Sequence, residues 1–268
     1  MNVEITEFEK RFCFELCPVT QLCGQNVRKK NYIFESLRRY FGTFKYSESK
    51  NKWRDNVFID NNQVGRKFFS VLSISNKTDI IQMIKMTKQS LLMEYVKNII
   101  QDFDWQLHMR NLSEEIEIMF QIINDQVNKV GDIEISYAMS DVWDMVQKSE
   151  VSGIDDTELS DKSNAELILI LLNIVDNVLK NNPKKTLILF ENLDHLVSLK
   201  EYVEIIHAAD TITKKYDLFF IFSSSLNKYV CCDIDFLEGI SVFGDVHFQM
   251  PESVSYTHLR AHETCADL

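Results

Sequence analysis

A glycine and a lysine at phosphate-loop spacing are the first residues whose types suggest chemistry. Gly24 and Lys30 match the template G-x-x-x-x-G-K-[ST], in which a glycine-rich turn cradles phosphates and the lysine neutralises them. Lys29 stands where the template has its second glycine, and its side chain enters the space in which the backbone would wrap a phosphate. Asn31 replaces the Ser or Thr whose hydroxyl ligates Mg²⁺. The segment therefore predicts a degenerate phosphate loop.

A second nucleotide-binding motif follows the apolar run at residues 187–190. In a competent nucleotide site, such a strand ends with an Asp that binds the metal ion, and a catalytic Glu often follows it. This chain has Glu191 and then Asn192 at these positions. An amide cannot accept a proton from water, so the general base is absent. The apolar run at 218–222, followed by three serines, fits the next strand of the same core. We predict a protein without enzymatic activity that binds no nucleotide.

The elements that position these motifs are visible in the hydrophobic periodicity. Runs of apolar residues, or of alternating apolar and polar residues, predict strands, whereas apolar residues spaced three and four apart predict helices. Ser163/Glu166 and Ser198/Glu201 form capping boxes that begin two helices. Ser113 is predicted to cap a second helix after a long helical segment that begins at Thr78. The predicted strands are 3–8, 12–16, 19–23, 57–60, 68–74, 133–135, 186–190, 218–222, 240–243 and 246–248; the other predicted helices are 30–41, 142–146, the one from 163 to Pro183, and the one from 198 through 212.

This order predicts an α/β fold, a degenerate P-loop-NTPase-like head with an inserted α-helical leg. The predicted head comprises residues 1–75 and 183–252, and the leg comprises 76–182. Residues 253–268 change character abruptly after Pro251 and are predicted to be a non-native read-through tail, which implies that the native chain continues beyond Glu252.

Charge is divided unevenly along the chain. Residues 1–100 carry 17 Lys/Arg and 10 Asp/Glu, whereas residues 101–268 carry 12 and 30, which together give the net charge of −11. Such asymmetry favours an anionic partner for the first part. A solvated face is the alternative. The candidate DNA-binding residues are Arg28, Lys29, Lys30, Lys45, Lys50, Lys52, Arg54, Arg66 and Lys67.

The sequence disfavours several other classes of protein and of functional site. The N-terminus carries no basic apolar leader and no apolar run reaches membrane-spanning length, so we expect a cytoplasmic protein. The six cysteines form no CxxC pair and are interpreted as free thiols. A zinc site at Cys13, Cys17 and Cys23 is disfavoured because no fourth ligand is nearby. The scattered histidines, His207 among them, are interpreted as structural or surface residues, and no Ser-His-Asp set is evident.

The segment 5–26, the degenerate loop at 28–30 and the sequence 187–195 together resemble the long-form, streptococcal-type Csn2 proteins of type II-A CRISPR loci. The resemblance covers residues 1 to about 252. It implies a non-catalytic, homotetrameric ring that holds the ends of double-stranded DNA and takes part in spacer acquisition, and hence in antiviral defence. It implies calcium as the cofactor of the assembled form, and the CRISPR integrase complex and the type II effector nuclease as partners, with no membrane association.

Calcium takes oxygen ligands, which the acidic part of the chain supplies in number. Glu191 and Asp194 are the candidate ligands, and solvated or helix-capping carboxylates are the alternative. Two other functions remain open: a working P-loop ATPase that acts on DNA, and an interaction scaffold whose basic residues bind an acidic protein.

Overall fold

The computed structural model describes residues 1–7, 10–42, 56–101, 103–127, 129, 135, 146, 148–154, 157–225, 229–244 and 247–249. The chain divides into two compact units, one built from residues 1–80 and 163–268 and the other from residues 81–162. The first unit is the α/β head, and the second is inserted between its two portions in the sequence. The predicted tail 253–268 and the predicted helix 142–146 (Val146 apart) lie outside the described residues.

A six-stranded sheet forms the centre of the head. Its strand order is β10-β9-β3-β8-β7-β6, and every neighbouring pair is parallel except β10 with β9. Apolar runs such as Thr186–Phe190 are buried along their whole length, as expected of strands covered on both faces. The bounds are β3 Val19–Cys23, β6 Ser70–Ile74, β7 Thr186–Phe190, β8 Leu218–Ser223, β9 Ile240–Phe243 and β10 His247–Gln249.

The smaller sheet of the head is antiparallel and has the order β2-β1-β4-β5. Helix α1, Val27–Phe41, shares one hydrophobic core with residues of both sheets, so it is covered on two sides. Gly42 ends this helix, as predicted from the sequence. The bounds of the smaller sheet's strands are β1 Asn2–Glu7, β2 Lys10–Glu15, β4 Asn56–Ile59 and β5 Asn62–Gln63.

The opposite face of the central sheet is aromatic. Phe190 and Phe222 stack at 5.2 Å, and Tyr202 of helix α6 (Leu199–Thr213) lies edge-on to Phe222. Helix α5, Asn164–Asn181, packs against α6. The predicted leg boundary at residue 182 placed α5 outside the head. The structure places it inside, because its apolar residues cover the head and nine of them are buried.

The second unit is helical in its described part. Its helices are α3, Leu91–Ile100, and α4, Phe103–Val127, while α2, Lys77–Ile84, spans the boundary between the two units. Ser113 lies inside α4, so the predicted helix start at Ser113 is wrong: good helix formers on both sides let the helix continue. The predicted strand 133–135 lies outside the described residues, apart from Ile135, which is not in a strand.

No helix in the described part of the chain is both long and apolar enough to cross a bilayer.

Candidate functional site

The two nucleotide-type motifs meet at one edge of the central sheet. Strands β3, β8 and β7 are parallel neighbours, so the residues after each strand lie at the same carboxyl edge. These residues are Gly24 after β3, Ser224 after β8 and Glu191 after β7. In open α/β sheets, this edge is where ligands bind. The structure therefore brings the two sequence motifs together at one edge of the sheet.

The turn at Gly24 requires glycine. Its φ is +95°, and a Cβ atom there would lie 2.6 Å from the backbone oxygen of Phe243. That same oxygen accepts a hydrogen bond from the backbone N–H of Asn26 at 2.7 Å. The Asn26 side chain caps α1 by accepting from the backbone N–H of Lys29 at 3.0 Å. The loop is therefore held against β9 and leads directly into the helix.

Lys30, the phosphate-loop lysine, is turned into the protein. Only 1% of its surface is exposed. Its ammonium donates to the carbonyl oxygen of Gly24 at 2.7 Å and to that of Ser224. Burial lowers the pKa of Lys30 below its usual value, while Cys23 and Asp194 act in the opposite direction. The ammonium that would neutralise a phosphate is instead bound to backbone carbonyls of the chain itself.

A buried carboxylate lies on the other side of the same peptide group. Both carboxylate oxygens of Asp194 accept from the backbone N–H of Ser225 at 3.0 Å, and the Asp194 side chain has no exposed surface. The peptide that joins Ser224 to Ser225 therefore offers its carbonyl to Lys30 and its N–H to Asp194. One peptide group thus links a buried cation and a buried anion at the place where a nucleotide would bind.

The two candidate calcium ligands have separate partners. Glu191 accepts a hydrogen bond from the Ser75 hydroxyl at 2.8 Å, whereas both oxygens of Asp194 are bound to Ser225. Calcium takes six to eight oxygen ligands. An Asp194 that is fully covered and already bonded does not fit such a shell, so Glu191 and Asp194 as the structure places them do not fit a shared calcium site.

A serine, a histidine and an aspartate come together here, which the sequence analysis missed. The Ser225 hydroxyl lies 2.6 Å from Asp194 Oδ2 and 2.7 Å from His195 Nε2. In a hydrolytic triad, the aspartate binds the far nitrogen of the histidine and the serine is left to attack. Here the aspartate binds the serine itself, so the cluster secures the turn. The available signal was the pair of apolar strands, one followed within five residues by Asp194 and His195 and the other followed directly by serines.

The predicted DNA-binding residues divide into three groups. Lys30 is buried, so the prediction that it contacts DNA is wrong for this structure. Arg28 is exposed and Lys29 partly exposed at the start of α1, while Arg66 and Lys67 are exposed near its end. The Arg66 guanidinium donates to the carbonyl oxygens of Arg39 and Tyr40 at 3.2 and 3.1 Å. The other four, Lys45, Lys50, Lys52 and Arg54, lie outside the described residues.

The exposed face of α1 joins the two described basic groups. Arg28 and Arg39 are eleven residues apart, close to three helical turns, so they lie on the same face. Glu35 lies between them on that face and pairs with Arg39 at 3.1 Å and with Arg38 at 2.7 Å. The distance along the axis is about 16 Å at 1.5 Å per residue. Cations therefore lie at both ends of one exposed helix face.

The chain is similar to proteins of known structure. Its fold matches the crystal structure of Stu0660 of Streptococcus thermophilus with a TM-score of 0.82 and 22% sequence identity, covering 94% of this chain and 76% of that chain. It also resembles an SMC head bound to the C-terminal winged-helix domain of ScpA, with a TM-score of 0.50 and 13% identity over 94% of this chain and 98% of that chain. At these identities, the likenesses show the fold alone.

The predicted fold class is confirmed by these likenesses and by the parallel sheet with its helices. No protein of curated function matches the sequence. The sequence profile of the CRISPR-associated protein Csn2 subfamily St matches residues 5–254, nearly the whole chain. The family predicted from the degenerate loop and the 187–195 motif is thereby confirmed, and the chain belongs to the Csn2 family of CRISPR-associated proteins.

Proposed function

We propose that this chain is a non-catalytic protein that binds the ends of double-stranded DNA and takes part in CRISPR spacer acquisition. Membership of the Csn2 family supports the CRISPR role. The observation that carries the non-catalytic part is the buried Lys30, whose ammonium is bound to carbonyls of the chain itself. A phosphate would have to displace both carbonyls to reach this ammonium.

Exposed cations on α1 and beside its end supply the surface for a polyanion. Arg28 and Lys29 at the start of the helix and Arg66 and Lys67 near its end are available to solvent. Contacts of this kind neutralise phosphates and read no bases, which suits a protein that must hold DNA of any sequence. The acidic residues that dominate positions 101–268 would repel DNA from other surfaces.

The remaining parts of the proposal come from the family. A homotetrameric ring would enclose the duplex and explain a preference for ends, because a closed ring can be threaded only at an end. Calcium would support the assembled form, with ligands other than the fully covered Asp194. The CRISPR integrase complex and the type II effector nuclease are the proposed partners, and the cytoplasm is the proposed location.

The test is a gel shift with linear and covalently closed circular forms of the same duplex in the presence of calcium. We expect the linear form to bind and the closed form to stay unbound. Binding should weaken steeply with salt, with a log–log slope of about −0.9 for each neutralised phosphate. Equal binding of both forms, or binding of neither, would contradict the proposal.

The surface is tested with the double variant Arg28→Ala/Lys29→Ala. Loss of two phosphate contacts should reduce the magnitude of the salt slope by about 1.8 for each subunit whose α1 contacts the duplex. Lys200→Ala is the matched control, because Lys200 is a strongly exposed lysine on α6 whose partner is Glu204 of the same helix. An unchanged slope in the double variant would remove α1 from the DNA-binding surface.

A working ATPase is the second candidate, since the head shares the P-loop-like fold and keeps Gly24 and Lys30. Titration calorimetry with ATP and Mg²⁺ separates the two functions. We expect no heat of binding at micromolar concentrations, and micromolar affinity would restore the ATPase. If an acidic protein were the real partner of the basic residues, duplex DNA would fail to compete for it.

A further inference from the structure

A histidine, a cysteine and an aspartate converge at the surface of the head. One ligand atom from each of His207, Cys231 and Asp233 lies within 4.8 Å of the other two. His207 belongs to α6, while Cys231 and Asp233 belong to the segment before the 3-10 turn Ile234–Gly239. This is the one such group of three found among the residues that the structure describes.

Hydrogen bonds in the core fix the positions of Cys231 and of α6, the helix that carries His207. The side chain of Gln21, in β3, accepts from the backbone N–H of Cys231 at 2.8 Å and donates to the Cys231 carbonyl at 3.0 Å. The same Gln21 accepts from the Tyr202 hydroxyl at 3.1 Å, and Tyr202 lies on α6, five residues before His207. One buried amide therefore fixes the strand, the helix and the cysteine backbone relative to each other.

The aspartate faces the histidine and leaves the nearby turn uncapped. Asp233 is the N-cap residue of the 3-10 turn, yet its side chain makes no capping hydrogen bond. Instead, Asp233 Oδ2 lies 2.8 Å from His207 Nε2. The His207 ring is also oriented from the side, because Phe236 contacts it edge-on at 5.2 Å between ring centroids. The imidazole nitrogen is thus aimed into the space that it shares with the carboxylate.

We propose that His207, Cys231 and Asp233 form a binding site for Zn²⁺. Zinc takes nitrogen, sulfur and oxygen ligands in a tetrahedral arrangement, and three protein ligands leave one position for water. A mixed set with a thiolate and an imidazole suits this borderline-soft ion, whereas calcium and magnesium take oxygen ligands. Cys231 is buried while His207 and Asp233 are exposed, so one ligand lies inside the protein and the other two face solvent, from which the ion can enter.

The histidine and the aspartate need only a small adjustment of their separation to admit the ion. Tetrahedral Zn–N and Zn–O bonds of about 2.1 Å set the two ligand atoms roughly 3.4 Å apart. His207 Nε2 and Asp233 Oδ2 must therefore separate by about half an ångström from their hydrogen-bonded distance of 2.8 Å. Both side chains are exposed and can make this movement. Zinc then takes the place of the proton shared by His207 and Asp233, and the Cys231 thiol releases its proton to solvent as it binds the ion. The bound ion ties α6 to the segment that leads into β9.

Equilibrium dialysis of the purified full chain against Zn²⁺ tests the proposal, with bound metal measured by mass spectrometry. We expect about one zinc per chain, which Cys231→Ser and His207→Asn each abolish. Bound Co²⁺ should give a thiolate-to-cobalt charge-transfer band that disappears in Cys231→Ser. Saturation at a hundred times the Kd should raise the unfolding temperature by about 5–10 °C.

The matched controls are Cys13→Ser, which removes an exposed thiol from β2, and His108→Asn, which removes an exposed imidazole from α4. Both should keep the full zinc stoichiometry. His207→Asn changes an exposed side chain and is expected to fold, so circular dichroism of this variant separates loss of the site from loss of the fold. Absence of bound zinc in the unaltered protein, or full stoichiometry in folded His207→Asn, would overturn the proposal. Neither outcome bears on DNA binding.

Discussion

Lys30 and Asp194 should be energetically coupled across the peptide group that joins Ser224 to Ser225. The perturbations are Lys30→Met and Asp194→Asn, alone and together. Lys30→Met leaves the carbonyls of Gly24 and Ser224 without their ammonium donor, and Asp194→Asn deprives Ser225 of its anionic acceptor. An unsatisfied buried polar group costs about 1–3 kcal/mol, partly offset here by the burial penalty of each removed charge. We expect each single variant to lose about 2–3 kcal/mol.

The coupling follows from the separation of the two charges. Standard peptide dimensions place the ammonium and the carboxylate roughly 7 Å apart, on opposite sides of one peptide group. Two unit charges at that distance attract by about 2 kcal/mol at an effective dielectric constant of about 20. The double variant should therefore lose about 3 kcal/mol, clearly less than the sum of the two single losses.

Urea unfolding followed by circular dichroism measures the four free energies of the cycle. Lys200→Met combined with Asp194→Asn is the control, because Lys200 lies exposed on α6 and should add independently. Additivity of Lys30→Met and Asp194→Asn within about 0.5 kcal/mol would refute the reasoning. The phosphate-loop lysine would then have no structural role in common with Asp194.

Two further changes test local features of the head. Gly24→Ala should destabilise the head by at least about 2 kcal/mol, because alanine is strained at φ +95° and its Cβ would meet the Phe243 backbone. Gly65→Ala, whose added Cβ meets nothing within 4 Å, is its control, and equal thermal unfolding shifts would contradict the account. The pKa of Glu201 is lowered from its usual 4.5 because its carboxylate accepts the Ser198 backbone N–H and hydroxyl, so its stabilisation is present above pH 4.5 and is lost as pH falls through the lowered value. In Glu201→Gln, the free energy of unfolding should no longer show this fall at acid pH. Glu204→Gln is the control and should keep the fall. If both variants show the same dependence on acid pH, the Ser198/Glu201 cap is not the source of the fall.

Local features were predicted well because they depend on neighbouring residues. Both capping boxes, Ser163/Glu166 and Ser198/Glu201, form as the sequence indicates. The apolar runs of β7 and β8 are buried parallel strands, as their composition predicts. A helix start is harder to place where helix formers continue on both sides, which is why Ser113 was interpreted wrongly as a cap.

The sequence of a single helix does not show to which domain the helix belongs. The sequence places helix α5 in the leg because it is the last helix of the helical middle of the chain, before the strand at 186–190. An apolar surface predicts that a helix packs but does not say on what, and α5 packs in the head. The same limit applies to the basic cluster, whose members Lys29 and Lys30 are adjacent in sequence but differ in exposure.

The departures from a nucleotide site are visible in the sequence itself: Lys29, Asn31 and Asn192 stand where such a site has glycine, a Ser or Thr and a catalytic Glu, wherever the fold places them. Which residues these positions meet was decided by strand order. The pairing of β3 with β8 brings Lys30 to Ser224, 194 residues away, and Gln21 brings Cys231 beside the helix that carries His207. Contacts over such separations depend on which strands become neighbours, and no spacing along the chain encodes that.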